Sequence, residues 1–122
     1  MVANNKKGEY KSMKFKTRKT HCIEEVEGER LKRFKEKYGV DAFIYKGTTT
    51  VYKNAKPVVI KFWYVVEYRT GMAITGDKTK ELALKRFEEW IQQDKENVKR
   101  LNDIIDRKIK EWGAINNDGL ET

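Results

Sequence analysis

Residues 58–69, VVIKFWYVVEYR, carry the longest strand-like pattern in the chain and decide the fold. Their even-numbered positions are all apolar or aromatic, whereas their odd-numbered positions mix valine and tryptophan with charged side chains. A period of two is typical of a β-strand, because successive side chains point to opposite faces of the sheet. We therefore expect one face of this strand to lie in the core and the other to be half polar.

Weaker strand patterns precede residues 58–69. Residues 42–45 and 49–52 are predicted strands, joined by a turn at Lys46-Gly47. A second turn is expected at residues 54–57, where the only proline marks the start of the long strand. These elements predict that the long strand belongs to an antiparallel meander.

Two further strands are expected at the ends of this meander. Thr70-Gly71 predicts a hairpin turn into a strand at residues 72–75. Residues 13–18 also alternate, with lysine or arginine at every second position, and we expect an edge strand whose lysines discourage aggregation.

Residues 23–38 are predicted to form an N-terminal helix. Glutamates fill its first turns and lysines and arginine its last turns, which matches the helix macrodipole. Gly39 then fits a helix stop. Gly28 is unfavourable inside a helix, so the helix could begin only there.

The last predicted element is a long helix that begins after Thr79, a good N-cap, and ends before Gly113. Apolar residues recur along it every seven positions: Leu84, Ile91, Val98, Ile105 and Trp112. Because this phase is kept throughout, we favour a continuous or mildly kinked helix over two helices broken near residues 92–97. A continuous helix would be about 50 Å long.

Such a helix would overhang the sheet and expose Leu101, Ile105 and Trp112 to water. An exposed apolar stripe usually meets a partner, so we expect a homodimer or higher oligomer through the C-terminal helix. The alternative is a helical hairpin that folds back on the same sheet.

The predicted fold class is therefore α+β: a twisted antiparallel sheet with an N-terminal helix and a long or kinked C-terminal helical segment. We expect a flexible basic arm at residues 1–9, one domain at residues 10–113, and a polar acidic tail at residues 114–122.

Composition narrows the function classes. The chain has 122 residues, a net charge of +8, one cysteine and one histidine. An internal disulfide is therefore excluded, and zinc sites and His-based catalytic triads are disfavoured, since only His21-Cys22 could serve. With no signal peptide or membrane-length apolar run, we expect a cytoplasmic protein with no membrane partner.

The charge is concentrated at one end of the chain. Residues 1–22 carry seven bases and one acid, so they hold six of the eight net positive charges. A basic arm favours an anionic partner, because each cation near a phosphate releases counterions. The alternative is that the lysines only keep the protein soluble.

The long helix carries the candidate ligand site. Phe87 or Trp90 could stack on a base, and Asn97 could read its edge. Phosphate would be met by one of three guanidinium groups, those of Arg86, Arg100 and Arg107. The alternative is that Phe87 lies in the core and the arginines are solvated.

A second candidate is the odd-numbered face of the long strand, where Trp63 lies between Lys61 and Val65, with Arg69 further along. Trp63 would offer a stacking platform with flanking cations. The alternative, which we favour slightly, is that helices cover this face and Trp63 is core. No acid pair indicates catalysis, and we expect no enzyme activity, cofactor or metal.

The order helix, three strands, helix over residues 23–97, with the turn GDKTKELA at residues 76–83, resembles the double-stranded-RNA-binding domain. It also resembles the arm-binding domain of phage and transposon integrases. Only Lys78 and Lys80 occupy the position where the first family has a dense lysine cluster. Either resemblance implies a nucleic-acid-binding module.

The small, basic, lysine- and glutamate-rich chain also resembles phage-encoded anti-defence proteins. Within these, the layout is similar to the Thoeris anti-defence sponge, in which C-terminal helices hold an aromatic residue and an asparagine about ten residues apart, as are Phe87 and Asn97. This resemblance implies a non-catalytic protein that sequesters a cyclic ADP-ribose isomer in the host cytoplasm. Anti-CRISPR proteins look alike in general, and would imply docking on a nuclease.

Overall fold

In the computed structural model, which describes residues 13–19 and 22–116, five strands and three helices are found. In chain order they are β1 (Met13–Arg18), β2 (Ile23–Arg30), α1 (Lys32–Tyr38), β3 (Ala42–Lys53), β4 (Lys56–Glu67), β5 (Ala73–Asp77), α2 (Lys80–Gln93) and α3 (Glu96–Trp112). The strands form one antiparallel sheet in the order β1-β2-β3-β4-β5. The predicted α+β class is confirmed.

Both faces of the sheet are packed in the half of the β3–β4 hairpin that lies far from its turn. On one face, Ile44 and Val65 contact the helices, whose largest buried side chains are Phe34 and Phe87. These two rings stack with their centroids 4.8 Å apart. The opposite face carries a second, aromatic cluster, formed by Phe15, Phe43, Tyr45, Val66 and Tyr68.

The sheet curls so that its first strand meets the β4–β5 turn. In a flat sheet β1 and β4 would lie three strand spacings apart, about 14 Å. Instead the backbone N–H of Arg18 donates to the carbonyl of Gly71 at 2.7 Å. Curling also brings Phe15 against Phe43, with ring centroids 4.5 Å apart. The aromatic cluster is therefore enclosed by the sheet itself.

Asn116 closes the curled sheet. Its side-chain oxygen accepts from the backbone N–H of Lys16 at 3.0 Å, and its amide nitrogen donates to the carbonyls of Lys16 and Tyr68 at 2.8 and 2.7 Å. Ile115 adds a backbone hydrogen bond to Arg69. The first residues of the predicted tail are thus part of the fold, while residues 1–9 and 117–122 lie outside the described residues.

The predicted N-terminal helix is wrong over residues 23–30, which form β2, and the short α1 follows two strands. Two of the four glutamates of β2 stand opposite bases of β1, in the pairs Lys16–Glu25 and Lys14–Glu27. Opposite charges across a ladder stabilise strand pairing. The acids that fit a helix start therefore serve a hairpin, whereas the end of the predicted helix is confirmed by α1 and its stop at Gly39, with φ 74°.

The predicted turn at Lys46-Gly47 is also wrong, because β3 runs without interruption through it. A Cβ atom on Gly47 would lie 3.1 Å from the Tyr45 ring and 3.2 Å from the Tyr64 ring. This glycine makes room for packed tyrosines instead of a chain reversal. The reversal occurs at Asn54-Ala55, within the second predicted turn.

The C-terminal helical segment is broken, against the continuous helix that we favoured. Asp94 is extended, with φ −149° and ψ 126°, and α3 folds back beside α2. Leu101 and Ile105 are buried in the helix-side core, so they do not form the exposed stripe predicted from a single helix. Trp112 remains 47% exposed. The homo-oligomer stays a prediction, but the exposed apolar stripe that was its main support is absent from the described residues.

The outer half of the β3–β4 hairpin projects from this body. β2 pairs with β3 only at residues 43–45, and β5 pairs with β4 only at residues 63–66. Lys46 stands opposite Trp63 in the hairpin, and residues 46–53 and 56–62 pair with no described strand other than β3 and β4. We call these residues the ribbon.

Within the part of the chain that the structure describes, no helix has both the length and the apolar character needed to cross a bilayer.

Candidate ligand groove

A groove of about 630 Å³ lies where the outer edge of β5 meets α2 and α3. β5 is the last strand of the sheet, so the edge facing the groove has no strand partner among the described residues. The groove is lined by residues 72–75, of which 73–75 belong to β5, by Arg86, Phe87 and Trp90 of α2, and by Asn97, Arg100, Leu101 and Ile104 of α3. Five of the six residues predicted from the sequence therefore meet here.

α2 is held against the sheet by a regular apolar face. Thr79 caps its first turn by accepting from the backbone N–H of Leu82 at 3.1 Å. Ala83, Phe87 and Ile91 are buried at intervals of four residues, as one face of a helix requires. This anchoring leaves the side chains of Arg86 and Trp90 beside the groove.

The corner between α2 and α3 depends on two polar side chains. The carboxylate of Asp94 accepts from the backbone N–H of Glu96 at 2.9 Å and so caps α3. Asn97 is buried and donates to the carbonyl of Trp90 at 2.7 Å, which satisfies a backbone acceptor at the end of α2. The corner brings Arg100 into the lining of the groove that also contains Arg86.

Each of the two guanidinium groups donates hydrogen bonds to a neighbouring side chain: that of Arg86 to Asp77, and that of Arg100 to Asn97. Arg86 donates through Nε and Nη2 to one carboxylate oxygen of Asp77, at 3.0 and 2.8 Å. Arg100 donates through Nη1 to the side-chain oxygen of Asn97 at 2.7 Å and reaches Asp94 at 3.4 Å. Nη1 of Arg86 and both Nε and Nη2 of Arg100 form no hydrogen bond with a described residue, so each arginine retains donors.

The two carboxylates beside the groove are held in their charged form. Hydrogen bonds from the backbone N–H of Lys78 and from Arg86 lower the pKa of Asp77. The backbone N–H of Glu96, with help from Arg100, lowers the pKa of Asp94. Ionised carboxylates accept hydrogen bonds but cannot donate a proton at neutral pH.

The predicted residues take different places around the groove. Phe87 is fully buried and stacks on Phe34, so it forms the floor and not a free stacking surface. Trp90 is half-buried and packs against Phe87, with ring centroids 6.5 Å apart and an interplanar angle of 14°. Both ends of the Asn97 amide are engaged, and Arg107 lies exposed on α3 without lining the groove.

The second candidate surface is divided by the structure. Trp63 packs against the helix-side core, as the alternative interpretation expected. Lys61 is exposed on the ribbon, and Arg69 is exposed in the β4–β5 turn. These three side chains do not form one platform.

Sequence reasoning missed the apolar wall of the groove, Ile74, Leu101 and Ile104, and the strand edge beside it. A continuous helix would expose Leu101, and for that reason the sequence does not place this residue in a groove. The local signal for the break was Asp94 followed three residues later by Asn97, a pairing that caps one helix and ties it to the preceding one.

Comparison of the chain with protein-family models, with curated proteins and with solved structures finds no match in any of the three. Among residues 13–19 and 22–116, no group of three or more His, Cys, Asp or Glu side chains is arranged to hold a metal ion. The family resemblances stay predictions.

Proposed function

We propose that this protein binds a nucleotide in the groove between β5, α2 and α3 and holds it without chemical change. Trp90 stacks on the base, and Arg86 and Arg100 donate to phosphate. The resemblance to the Thoeris anti-defence sponge favours a cyclic ADP-ribose isomer as the ligand, and hence sequestration of a nucleotide immune signal in the host cytoplasm.

The observation that carries this proposal is the pair of oriented arginines beside a half-buried tryptophan. Ligand sites of about 300–1,000 Å³ combine apolar walls with a few fixed polar groups. The groove, at about 630 Å³, offers an aromatic ring, apolar contacts from Leu101 and Ile104, and two guanidinium groups with unused donors. Guanidinium geometry suits bidentate contacts to phosphate oxygens.

The remaining predicted residues support these three contacts. Asn97 accepts from Nη1 of Arg100 at 2.7 Å, which restrains that guanidinium group and leaves its Nε and Nη2 without a described partner. Phe87 backs Trp90 with a nearly parallel ring. Each is therefore a positioning residue in this proposal.

Binding without chemistry is favoured by the state of the nearby acids. Asp77 and Asp94 are each paired with an arginine, and both pKa values are lowered. A general acid for cleavage of a glycosidic or phosphate bond needs a raised pKa instead.

Titration calorimetry with ADP-ribose, cyclic ADP-ribose and ADP tests the proposal. We expect at least one of them to bind with a dissociation constant in the micromolar range, and Arg100→Gln to weaken binding by about tenfold or more, since it removes a charge-assisted hydrogen bond. Heating the complex should release the ligand with unchanged mass.

Arg107→Gln is the matched control, because it removes the same charge from an exposed position of α3 outside the groove. It should change the dissociation constant by less than about twofold. Three results would contradict the proposal: no binding by any of these nucleotides, equal weakening by Arg107→Gln, or recovery of a cleaved ligand.

A further inference from the structure

The ribbon contributes no residue to the lining of the groove. Its two strands pair through a continuous register from Lys46–Trp63 to the Lys53–Lys56 pair at the tip. Seven residue steps along a strand span about 24 Å. In this hairpin, which has open edges on both sides, the face that carries Thr48, Thr50, Val59 and Lys61 is exposed, whereas the side chains on the opposite face are half-buried.

The charge of the ribbon has one sign only. Between Asp41 and Glu67 the chain contains no acidic residue, while lysine occurs at positions 46, 53, 56 and 61. None of these lysines forms an ion pair with a residue that the structure describes. This differs from the body, where Arg30, Arg86 and Lys80 each contact an acid.

The tip of the ribbon carries two features that oppose folding. Lys53 and Lys56 stand directly opposite each other in the ladder, and like charges in such a pair are destabilising. Ala55 adopts a positive φ of 63°, a conformation unfavourable for a residue with a Cβ atom. These tip residues therefore do not contribute to the stability of the folded state.

One face of the ribbon carries mostly polar side chains. By register, Thr48 and Thr50 share this face with Lys61 and Val59, and Lys46 lies diagonally beside Lys61. All five side chains are exposed, Val59 at 67%. Threonine hydroxyls can donate to or accept from base edges, a valine can contact a thymine methyl group, and lysines reach phosphates.

We propose that the ribbon is a DNA-binding element that enters the major groove of a B-form duplex with this face towards the bases. The major groove is about 12 Å wide and 8.5 Å deep and admits a two-stranded β-ribbon. The strands of such a ribbon lie about 4.8 Å apart, so the backbone fits with room for side chains. The charge of the ribbon indicates the kind of partner, because a surface that bears lysines and no acids complements a polyanion.

Duplex RNA fits this surface less well. Its major groove is deep and narrow, and side chains on a ribbon cannot reach the bases there. Lysines on open strand edges also have a second use, since they discourage edge-to-edge aggregation. The experiment separates these possibilities from DNA binding.

Fluorescence anisotropy of the full chain with a duplex DNA of roughly two helical turns measures the binding. The test variant is Lys46→Gln with Lys61→Gln. At about 0.1 M salt we expect a loss of affinity of roughly 50-fold, and the slope of log K against log salt to fall in magnitude by about 1.8, because each phosphate contact contributes about 0.9. A duplex RNA of the same sequence should bind more weakly than the DNA.

The matched control is Lys85→Gln with Lys99→Gln, which removes the same charge from exposed positions of α2 and α3. It should lower the affinity by less than about threefold. The proposal is overturned if wild type does not bind duplex DNA, if the ribbon variant binds as wild type does, if the control loses as much, or if RNA binds equally well. It is overturned too if the ribbon variant aggregates while its remaining monomer keeps full affinity.

Discussion

The two halves of the β3–β4 hairpin share one ladder yet differ in every other respect. In the inner half, Phe43, Ile44 and Val65 are at most 1% exposed, and side chains on both faces are packed. In the ribbon, Tyr52 and Val59 are 72% and 67% exposed, and no acid balances the lysines. The inner half is packed on both faces, whereas the ribbon has one half-buried face and one exposed face.

The largest expected effect comes from exchanging an aromatic side chain for alanine in each half of the same strand. Phe43→Ala should lower the free energy of unfolding by about 3–5 kcal/mol, since it opens a cavity among packed rings. Tyr52→Ala should lower it by less than about 1 kcal/mol, because the ring is in water. Urea unfolding measures both, and similar losses would refute the division.

A smaller effect is expected at the closure of the body. Asn116→Ala removes three hydrogen bonds to Lys16 and Tyr68 and leaves buried backbone groups unpaired, so we expect a loss of about 2 kcal/mol. Asn102→Ala, at an exposed position of α3, is the control and should change stability by less than about 0.5 kcal/mol. A neutral Asn116→Ala would mean that the curled sheet closes without this contact.

The smallest effect is expected at the tip of the ribbon and has the opposite sign. Ala55→Gly should raise the free energy of unfolding by about 1 kcal/mol, because glycine adopts positive φ without the Cβ penalty. Asn54→Gly should be nearly neutral, since asparagine tolerates the same region. Thermal melting of the two variants compares them directly, and a loss of stability in Ala55→Gly would show that the tip is not strained.

The sequence predicted the parts of the fold that local pattern controls. The alternation in residues 58–69 and the glycine stop at Gly39 belong to this class. It misassigned residues 23–30, because a run of glutamates suits a helix start and also suits a strand opposite lysines. Only the pairing with β1 decides between them, and that pairing is a tertiary contact.

Candidate residues from the sequence line one groove, although the helix expected to carry them is broken in two. Arg86, Trp90 and Arg100 were selected for their chemistry, and the structure brings them together. The break at Asp94 could not be predicted from apolar periodicity, because the same seven-residue phase serves a straight helix and a hairpin. The ribbon was missed because Gly47 is typical of turns, whereas here it makes room for two tyrosine rings.

Amide chemical-shift mapping of the labelled protein tests most directly whether the proposed nucleotide groove and the proposed DNA-binding ribbon are separate surfaces. Duplex DNA and ADP-ribose are added in separate titrations. DNA should shift the amides of the ribbon and leave those of Trp90 and Arg100 in place, whereas the nucleotide should do the reverse. Shifts from both ligands at the same residues would show that the two surfaces are not separate. An absence of shifts in the ribbon with DNA would show that the ribbon does not bind it.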